Sequence, residues 1–331
     1  MDYSTNKNLS NLLKGEKINC VDIGSIGGIR GFLEPFKEVI NFYGFEPNPV
    51  ECEKLNNNFG TDTVKFLPYA ISNKKSLEKF YITKDPECSS LLIPDNLHLS
   101  RFDFFEKFEI SKIIEVDCCP LQEIFELSNI DFDIIKVDTQ GMDLDILKSA
   151  PNFIDSAFLV EVEPAFSQNY INEYTIGEMI NFMKNEGFKM IQLQPHMVSR
   201  NNIFSKFDKN GEILWAETLW IKDYVEIFRK NKKFKLSKSK ALKSLLICAI
   251  LEMYSYGLEL TKFFLEQNII EESEYEFLQS IENWKINKQL EKKPNLVIEF
   301  ILRMFPTKLR IEIERASASA IKKHSLLHLT N

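Results

Sequence analysis

A cluster of glycines and a set of carboxylates carry the residue types and spacing that could do chemistry. Val21-Asp22-Ile23-Gly24-Ser25-Ile26-Gly27-Gly28 puts glycines at the exit of an apolar run, where a strand would turn towards a helix. Glycine there accepts φ > 0 and lets the backbone approach a ligand closely. Glu46 ends the next apolar run, residues 39–45. A carboxylate at the end of a second strand can accept hydrogen bonds from both hydroxyls of a ribose. Farther along, Asp138 closes the run 132–137, Glu161 and Glu163 close the run 157–162, and His196 follows the run 188–193.

Asp22, two residues before the first glycine, narrows the ligand. A dinucleotide would bring a pyrophosphate to this turn, where Asp22 is a like charge, and Gly24-Ser25-Ile26-Gly27-Gly28 lacks the G-x-G-x-x-G order. S-adenosylmethionine has ribose and adenine, no phosphate and a cationic sulfonium, so an acidic rim suits it better. Methyl transfer from a sulfonium asks the protein chiefly for alignment and, with an alcohol acceptor, for a base. Asp138 is the favoured base because it closes the strand expected to face the glycine loop, and His196 is the second candidate. Asp138 could equally cap the helix that follows Gly141 or hold the cofactor's amino group. His196 could be a surface-loop histidine, and Glu161 and Glu163 could cap a strand end in solvent. Asp138, Asp143 and Asp145 offer oxygen ligands, but Asp143 and Asp145 are two apart on an expected helix and face different ways, so no metal is expected.

Alternating elements must position these groups. Strands are expected at 18–23, 39–46, 64–67, 77–82, 113–118, 132–138, 157–163, 188–193 and 216–221. Helices are expected at 50–59, 120–127, from 141 onward and at 176–186. Residues 85–108 read as a long loop with a short helix at 101–107. This alternation predicts an α/β fold with a doubly wound, mostly parallel sheet, an antiparallel edge and a site at the strand C-terminal ends.

The chain has 331 residues, 44% hydrophobic and 27% charged, ample for a buried core. Its net charge of −7 divides unevenly: 22 basic and 36 acidic residues through Phe228, then 19 and 12 from Arg229 onward. An acidic first part argues against a nucleic-acid partner. The six cysteines show no C-x-x-C pair and no zinc spacing, so reduced thiols are expected. A polar first stretch without the apolar core of a signal peptide predicts a cytoplasmic location. Residues 229–243 hold eight basic residues and no acid. A solvated face or linker is the commoner explanation, with contact to an anionic membrane or a sugar phosphate as the minor one. Residues 244–251 are too few to span a bilayer. The rest, with Pro294 and Pro306 as breaks, reads as a small helical bundle or homodimer arm.

Three blocks, Val21 to Gly28, Gly44-Phe45-Glu46-Pro47-Asn48-Pro49, and Ile134 to Leu147 with Lys136-Val137-Asp138-Thr139-Gln140-Gly141, resemble the FkbM family of S-adenosylmethionine-dependent methyltransferases. Ala70-Ile71-Ser72, Cys88-Ser89-Ser90-Leu91 and Glu217-Thr218-Leu219-Trp220 extend the likeness over roughly residues 19–222. The resemblance implies a seven-stranded, Rossmann-like class I methyltransferase domain; the change of composition at Arg229 sets its expected bounds at 1–228 and leaves a C-terminal helical region at 229–331 outside the resemblance. It implies O-methyl transfer to a hydroxyl of a saccharide, glycan precursor or secondary metabolite. By the same analogy, Asp22, Gly24, Ser25, Gly27, Glu46, Ala70, Ile71 and Asp138 would hold the cofactor, and Ser89, Ser90 and Glu161 the acceptor. Two departures stand out: Met142-Asp143 where the family commonly has Ala-Glu, and Ser25-Ile26 where Ala-Asn is usual. The alternatives are a non-catalytic assembly protein on the same fold and an NAD-dependent sugar-modifying enzyme.

Overall fold

The computed structural model describes Leu13 and residues 16–25, 27–29, 31–127 and 129–272. Ile26 and Arg30, nearly all of the polar start, and the tail with Pro294 and Pro306 lie outside the described residues. The chain divides into two compact units, 1–271 and 272–331, and the description below concerns the first.

Seven strands form the main sheet: β1 (Ile18–Ile23), β2 (Ile40–Phe45), β3 (Val64–Leu67), β7 (Ile134–Val137), β8 (Leu159–Val162), β9 (Phe188–Val198) and β10 (Glu212–Lys222). Their order is β3-β2-β1-β7-β8-β10-β9. The first five are parallel, and β10 runs antiparallel to both neighbours. The chain leaves β1 towards β2 and β3 and later returns to β7 on its other side. This reversal opens a crevice above the C-terminal ends of β1 and β7, where ligands bind in such sheets. Apolar runs explain the central position: all four side chains of β7 are buried, and β1 exposes only part of Asn19.

A second sheet of three strands, in the order β4-β6-β5, stands beside the first: β4 (Ala70–Ile71), β5 (Ser76–Thr83) and β6 (Ile110–Cys119). The two expected strands at 77–82 and 113–118 thus pair with each other rather than extending the main sheet. Most of their side chains remain at least partly exposed, which suits an accessory sheet rather than a central one.

The helices are α1 (Pro49–Phe59), α2 (Asn96–Leu99), α3 (Asp143–Ser149), α4 (Pro151–Ser156), α5 (Ile176–Asn185), α6 (Tyr224–Lys230), α7 (Lys238–Ile250) and α8 (Tyr254–Glu266). Their starts follow local chemistry. Asn48 caps α1 by accepting from Val50 N–H, with Pro49 in the first turn, and Thr175 and Glu178 form a capping box on α5. Two expected helices are shorter than the sequence suggests. After the glycine loop the chain makes a 3₁₀ helix, Gly31–Phe36, with Pro35 inside it, and proline has no N–H to continue an α-helix. Residues 120–127 form two 3₁₀ turns, Leu121–Glu123 and Phe125–Leu127. In the long loop, helical turns fall at α2 and at Phe105–Phe108.

The expected boundary at 228/229 falls inside the first unit. Lys240 and Lys243 on α7 reach the buried Asp133 just before β7, at 2.6 and 3.3 Å. All ten residues 241–250 of α7 are buried. Two lysines of the basic run therefore neutralise an acid under the sheet instead of facing solvent. Among the described residues, no helix is long and apolar enough to cross a membrane.

Candidate functional site

The crevice opens into a cavity of about 1490 Å³. Small-molecule pockets usually hold about 300–1,000 Å³, so there is room here for two ligands side by side. Gly24, Gly27, Glu46, Ala70 and Ile71 line its β1–β2 half. Asp138, Glu161 and His196 line the other half, and Ser89 stands on the wall near the accessory sheet.

Backbone geometry explains the first half. Gly24 has φ +95°, and a Cβ there would stand 1.9 Å from the carbonyl oxygen of Asp138. Gly27, at φ +83°, again adopts a conformation that side chains disfavour. Beyond the loop, Glu46 is 7% exposed and its Oε1 accepts from Asn48 N–H at 2.9 Å. Burial raises the Glu46 pKa; the Asn48 bond opposes this and the charge of Glu51 adds to it. Gly44-Phe45-Glu46-Pro47-Asn48-Pro49 is thus one device: strand end, cavity carboxylate, helix cap and helix start.

Three expected site residues stand behind this wall. Ser25 Oγ donates to the Phe45 carbonyl at 3.1 Å, tying the loop to β2. Ser90 Oγ donates to the Gln140 carbonyl at 2.6 Å and accepts from Leu92 N–H, so it braces the turn after β7. Asp22 is 1% exposed and sits in a row across the sheet. Ser89, though on the wall, has its hydroxyl engaged at Thr83, accepting from the backbone N–H at 3.2 Å.

The row depends on how the strands pair. Parallel pairing sets Asp22 beside Lys136 and Lys136 beside Glu161, placing an acid, a base and an acid on one face of β1, β7 and β8. Lys136 Nζ lies 3.5 Å from both Asp138 Oδ2 and Glu161 Oε1. Burial works to discharge this lysine, but Asp138, Asp22, Glu161 and Glu163 together hold its pKa above the ordinary value. Glu161 is pushed up to about 7 by burial, with Lys136 opposing the shift and Glu217, Asp22 and Asp138 adding to it. Burial also raises Glu163, assisted by Asp138 and Asp143. The sequence signal was a lysine inside the otherwise apolar Ile134-Ile135-Lys136-Val137, since a buried charge requires partners.

The turn after β7 fixes the orientation of Asp138. Gln140, at φ +55°, donates through Nε2 to Asp138 Oδ1 at 3.0 Å and to Glu163 Oε2 at 3.2 Å. Its Oε1 lies 2.9 Å from the Tyr170 hydroxyl, which also reaches the Cys88 carbonyl at 2.8 Å. Asp143 accepts from Thr139 N–H and Oγ–H at 2.9 and 2.6 Å and from Glu163 N–H at 3.3 Å. It closes the turn, and burial followed by the charge of Asp138 pushes it up to about 6.

At the antiparallel edge, His196 pairs across the strands with Trp215 and stacks on it, with ring centroids 5.4 Å apart. Its Nε2 lies 3.5 Å from Glu217 Oε1. Along β10, Glu217, Thr218 and Leu219 all line the cavity, and Thr218 also donates to the Val162 carbonyl and accepts from Trp220 Nε1–H, each at 2.9 Å. Glu163, His196 and Glu217 each bring one potential ligand atom within 4.8 Å of the others.

Residues 32–190 match the family model described as methyltransferase FkbM domain. The match begins after the glycine loop and ends before His196. A search of the curated proteins returns no match. Among solved structures, the chain is similar to methyltransferase FkbM from Methylobacillus flagellatus KT, at 14% identity and a TM-score of 0.36, covering 62% of this chain and 43% of that one. The present chain therefore spans less than half the length of that protein. It is also similar to a TehB-like SAM-dependent methyltransferase from Corynebacterium glutamicum, at 10% identity and a TM-score of 0.31, covering 65% and 88% of the two chains. A third similar structure is magnesium protoporphyrin IX methyltransferase from Synechocystis PCC 6803 with bound SAM, at 8% identity and a TM-score of 0.33, covering 66% and 80%. Over residues 32–190, from the 3₁₀ helix after the glycine loop into β9, the chain is similar to the methyltransferase FkbM domain.

Proposed function

We propose that the protein transfers a methyl group from S-adenosylmethionine to a hydroxyl of a saccharide, glycan precursor or hydroxylated metabolite. The observation that carries this reading is that Glu46 and the positive-φ Gly24 open on the same cavity as the Asp138–Glu161 wall. A Cβ at Gly24 would strike the Asp138 carbonyl, so the loop is held at a closeness that glycine alone permits. S-adenosylmethionine supplies a methyl group on a sulfonium, an already activated leaving group. Glu46 would accept from the ribose hydroxyls, Ala70 and Ile71 would flank the adenine, and the glycine loop would hold the amino-acid end.

On the opposite wall, Glu161 is the group best matched to take the acceptor's proton. It is pushed up to about 7, near the pH at which it would work. Asp138 accepts from Gln140 and faces Lys136, so it shapes the wall, and His196 beside Glu217 serves the acceptor's far side. A polyhydroxylated acceptor suits the lining, because Gln192, Gln194, Glu217 and Trp215 offer hydrogen-bonding groups and a ring edge.

Titration calorimetry with S-adenosylhomocysteine, followed by transfer of labelled methyl from S-adenosylmethionine to a panel of sugars and oligosaccharides, tests the proposal. Binding and oxygen-linked label are expected. Glu161→Gln should cut the transfer rate about 10²-fold or more and remove the rise in rate as pH passes about 7. Absence of binding, or label carried on nitrogen, would overturn the reading.

A further inference from the structure

The hairpin joining β9 to β10 carries an apolar tip that nothing among the described residues covers. Ile203, Phe204 and Phe207 are 82%, 65% and 79% exposed, around the short turn Ser205–Phe207. Scattered exposed apolar side chains are ordinary, but three within five residues, two of them phenylalanines, make a patch. Lys206 and Lys209 stand within and beside it.

The tip is anchored at its base. Asp103 N–H donates to the Ser199 carbonyl at 3.3 Å and Asn201 N–H to the Arg101 carbonyl at 2.8 Å, lacing the hairpin to the loop that follows α2. Arg200 pairs with Glu212 and lies over the Phe102 ring, 4.6 Å from its centroid. The laced segment adds Leu97 on α2, 85% exposed. At the hairpin's base, Met197, Val198 and Ser199 line the cavity described above.

We infer that this tip docks on an anionic lipid surface, with Ile203, Phe204 and Phe207 entering the headgroup boundary and Lys206 and Lys209 meeting lipid phosphates. Charge favours that occupant. Residues through Phe228 sum to −14, yet with Arg200 paired to Glu212 the tip itself holds Lys206 and Lys209 against Asp208 alone. A basic, apolar point on an acidic body can meet an anionic leaflet while the rest of the body stays clear of it. Size favours it as well. Three side chains fall far short of the ~800 Å² per partner of a stable protein interface, whereas interfacial docking needs only apolar side chains reaching about 5–10 Å deep beside lysines. Docking here would hold the cavity mouth next to the lipid surface.

The test uses the full chain and vesicles of phosphatidylcholine alone or mixed with phosphatidylglycerol, read by co-sedimentation without turnover, so it is independent of the methyl-transfer proposal. The protein should sediment with the mixed vesicles and much less with the neutral ones. The combined Ile203→Ser, Phe204→Ser and Phe207→Ser variant should lose about tenfold or more in binding, and Lys206→Glu with Lys209→Glu a comparable amount. Phe204→Trp should shift its emission to the blue on mixed vesicles and be quenched by brominated lipid. These side chains are exposed, so the variants should melt as the parent does. The inference is overturned if the parent binds neither vesicle or if the triple-serine variant binds as well as the parent, which would place lipid contact elsewhere. It is equally overturned if the triple change alters the oligomeric state on size exclusion, which would assign the tip to a second copy of the chain.

Discussion

The two halves of the cavity are built on different principles. The half above β1 and β2 is mostly backbone and apolar surface: glycines at positive φ, Phe45, Ile71 and one buried carboxylate, Glu46, with the exposed Glu51 beyond it. The half above β7, β8 and β10 crowds Asp138, Glu161, Glu163 and Glu217 around Lys136. The first offers a fixed shape and a buried carboxylate; the second is an electrostatic assembly whose protonation can change near neutral pH. Substitutions should therefore fail differently on the two sides, sterically on one and with pH on the other.

The largest effect is expected at the seam. Gly24→Ala places a methyl group 1.9 Å from the Asp138 carbonyl and strains a residue at φ +95°. Strand-end backbone cannot yield as a side-chain tip can, so a loss of ~3 kcal/mol or more is expected, independent of pH. Thermal melting and soluble yield measure it, and a variant that melts like the parent would mean the loop relaxes freely.

Lys136→Met should come next and behave in the opposite manner. It leaves Asp138 and Glu161 without the cation between them, a change that typically costs about 3–5 kcal/mol when both partners are buried. Glu161 and Glu163 already have raised pKa values, so their protonated forms favour the folded state. That contribution is complete below the ordinary carboxylate range and fades as pH rises through the folded-state values. The variant should thus approach parental stability in acid and lose it steeply above neutrality. Urea midpoints across pH test this, and an equal deficit at every pH would reduce the role of Lys136 to packing.

This difference also decided what the sequence could reveal. The β1–β2 half is local. Glycines after an apolar run, a carboxylate at the end of the next, and Asn48-Pro49 as cap and first turn lie within thirty residues and obey turn and capping chemistry. The charged half is non-local. Asp22, Lys136 and Glu161 meet because β1, β7 and β8 pair in one register, and one sequence contains no register. Ser25 and Ser90 show the same limit. Their hydroxyls are of the right type, but folding commits them to the carbonyls of Phe45 and Gln140, each many residues away. The fate of Lys240 and Lys243 was equally hidden, since their acid, Asp133, lies more than a hundred residues earlier.

Glu46→Gln sharpens the shape-reading side. The amide keeps the size of the carboxylate and can still accept from Asn48 N–H, but it offers the ribose a weaker, neutral acceptor. Hydrogen bonds to a charged group contribute about 1.5–3 kcal/mol, so affinity for S-adenosylhomocysteine should fall ~10- to 100-fold while the melting temperature stays near that of the parent. Unchanged affinity in calorimetry would remove Glu46 from the cofactor's contacts and leave it a cap for the Asn48 turn.

The smallest effect is expected at Glu173, which supports the charged half from below. Its Oε2 accepts from Asn169 and Tyr170 N–H at 2.6 and 3.1 Å, and so seats the tyrosine that reaches Gln140. Burial pushes this carboxyl up to about 8, although those two bonds and the nearby Asp143 also act on it, the bonds lowering and the acid raising. A raised carboxyl favours the folded state while protonated. Its contribution is fully present below the ordinary range and is lost as pH climbs through about 8. Glu173→Gln mimics the protonated form and cannot ionise. Parent and variant should therefore unfold alike in mild acid, and the variant should gain ~1–2 kcal/mol over the parent by pH 9, once relaxation around a buried group is allowed for. Taking the difference between the two cancels the slopes contributed by Glu161, Glu163 and Asp143. Parallel stability curves would show that Glu173 ionises in the folded protein as it does in water.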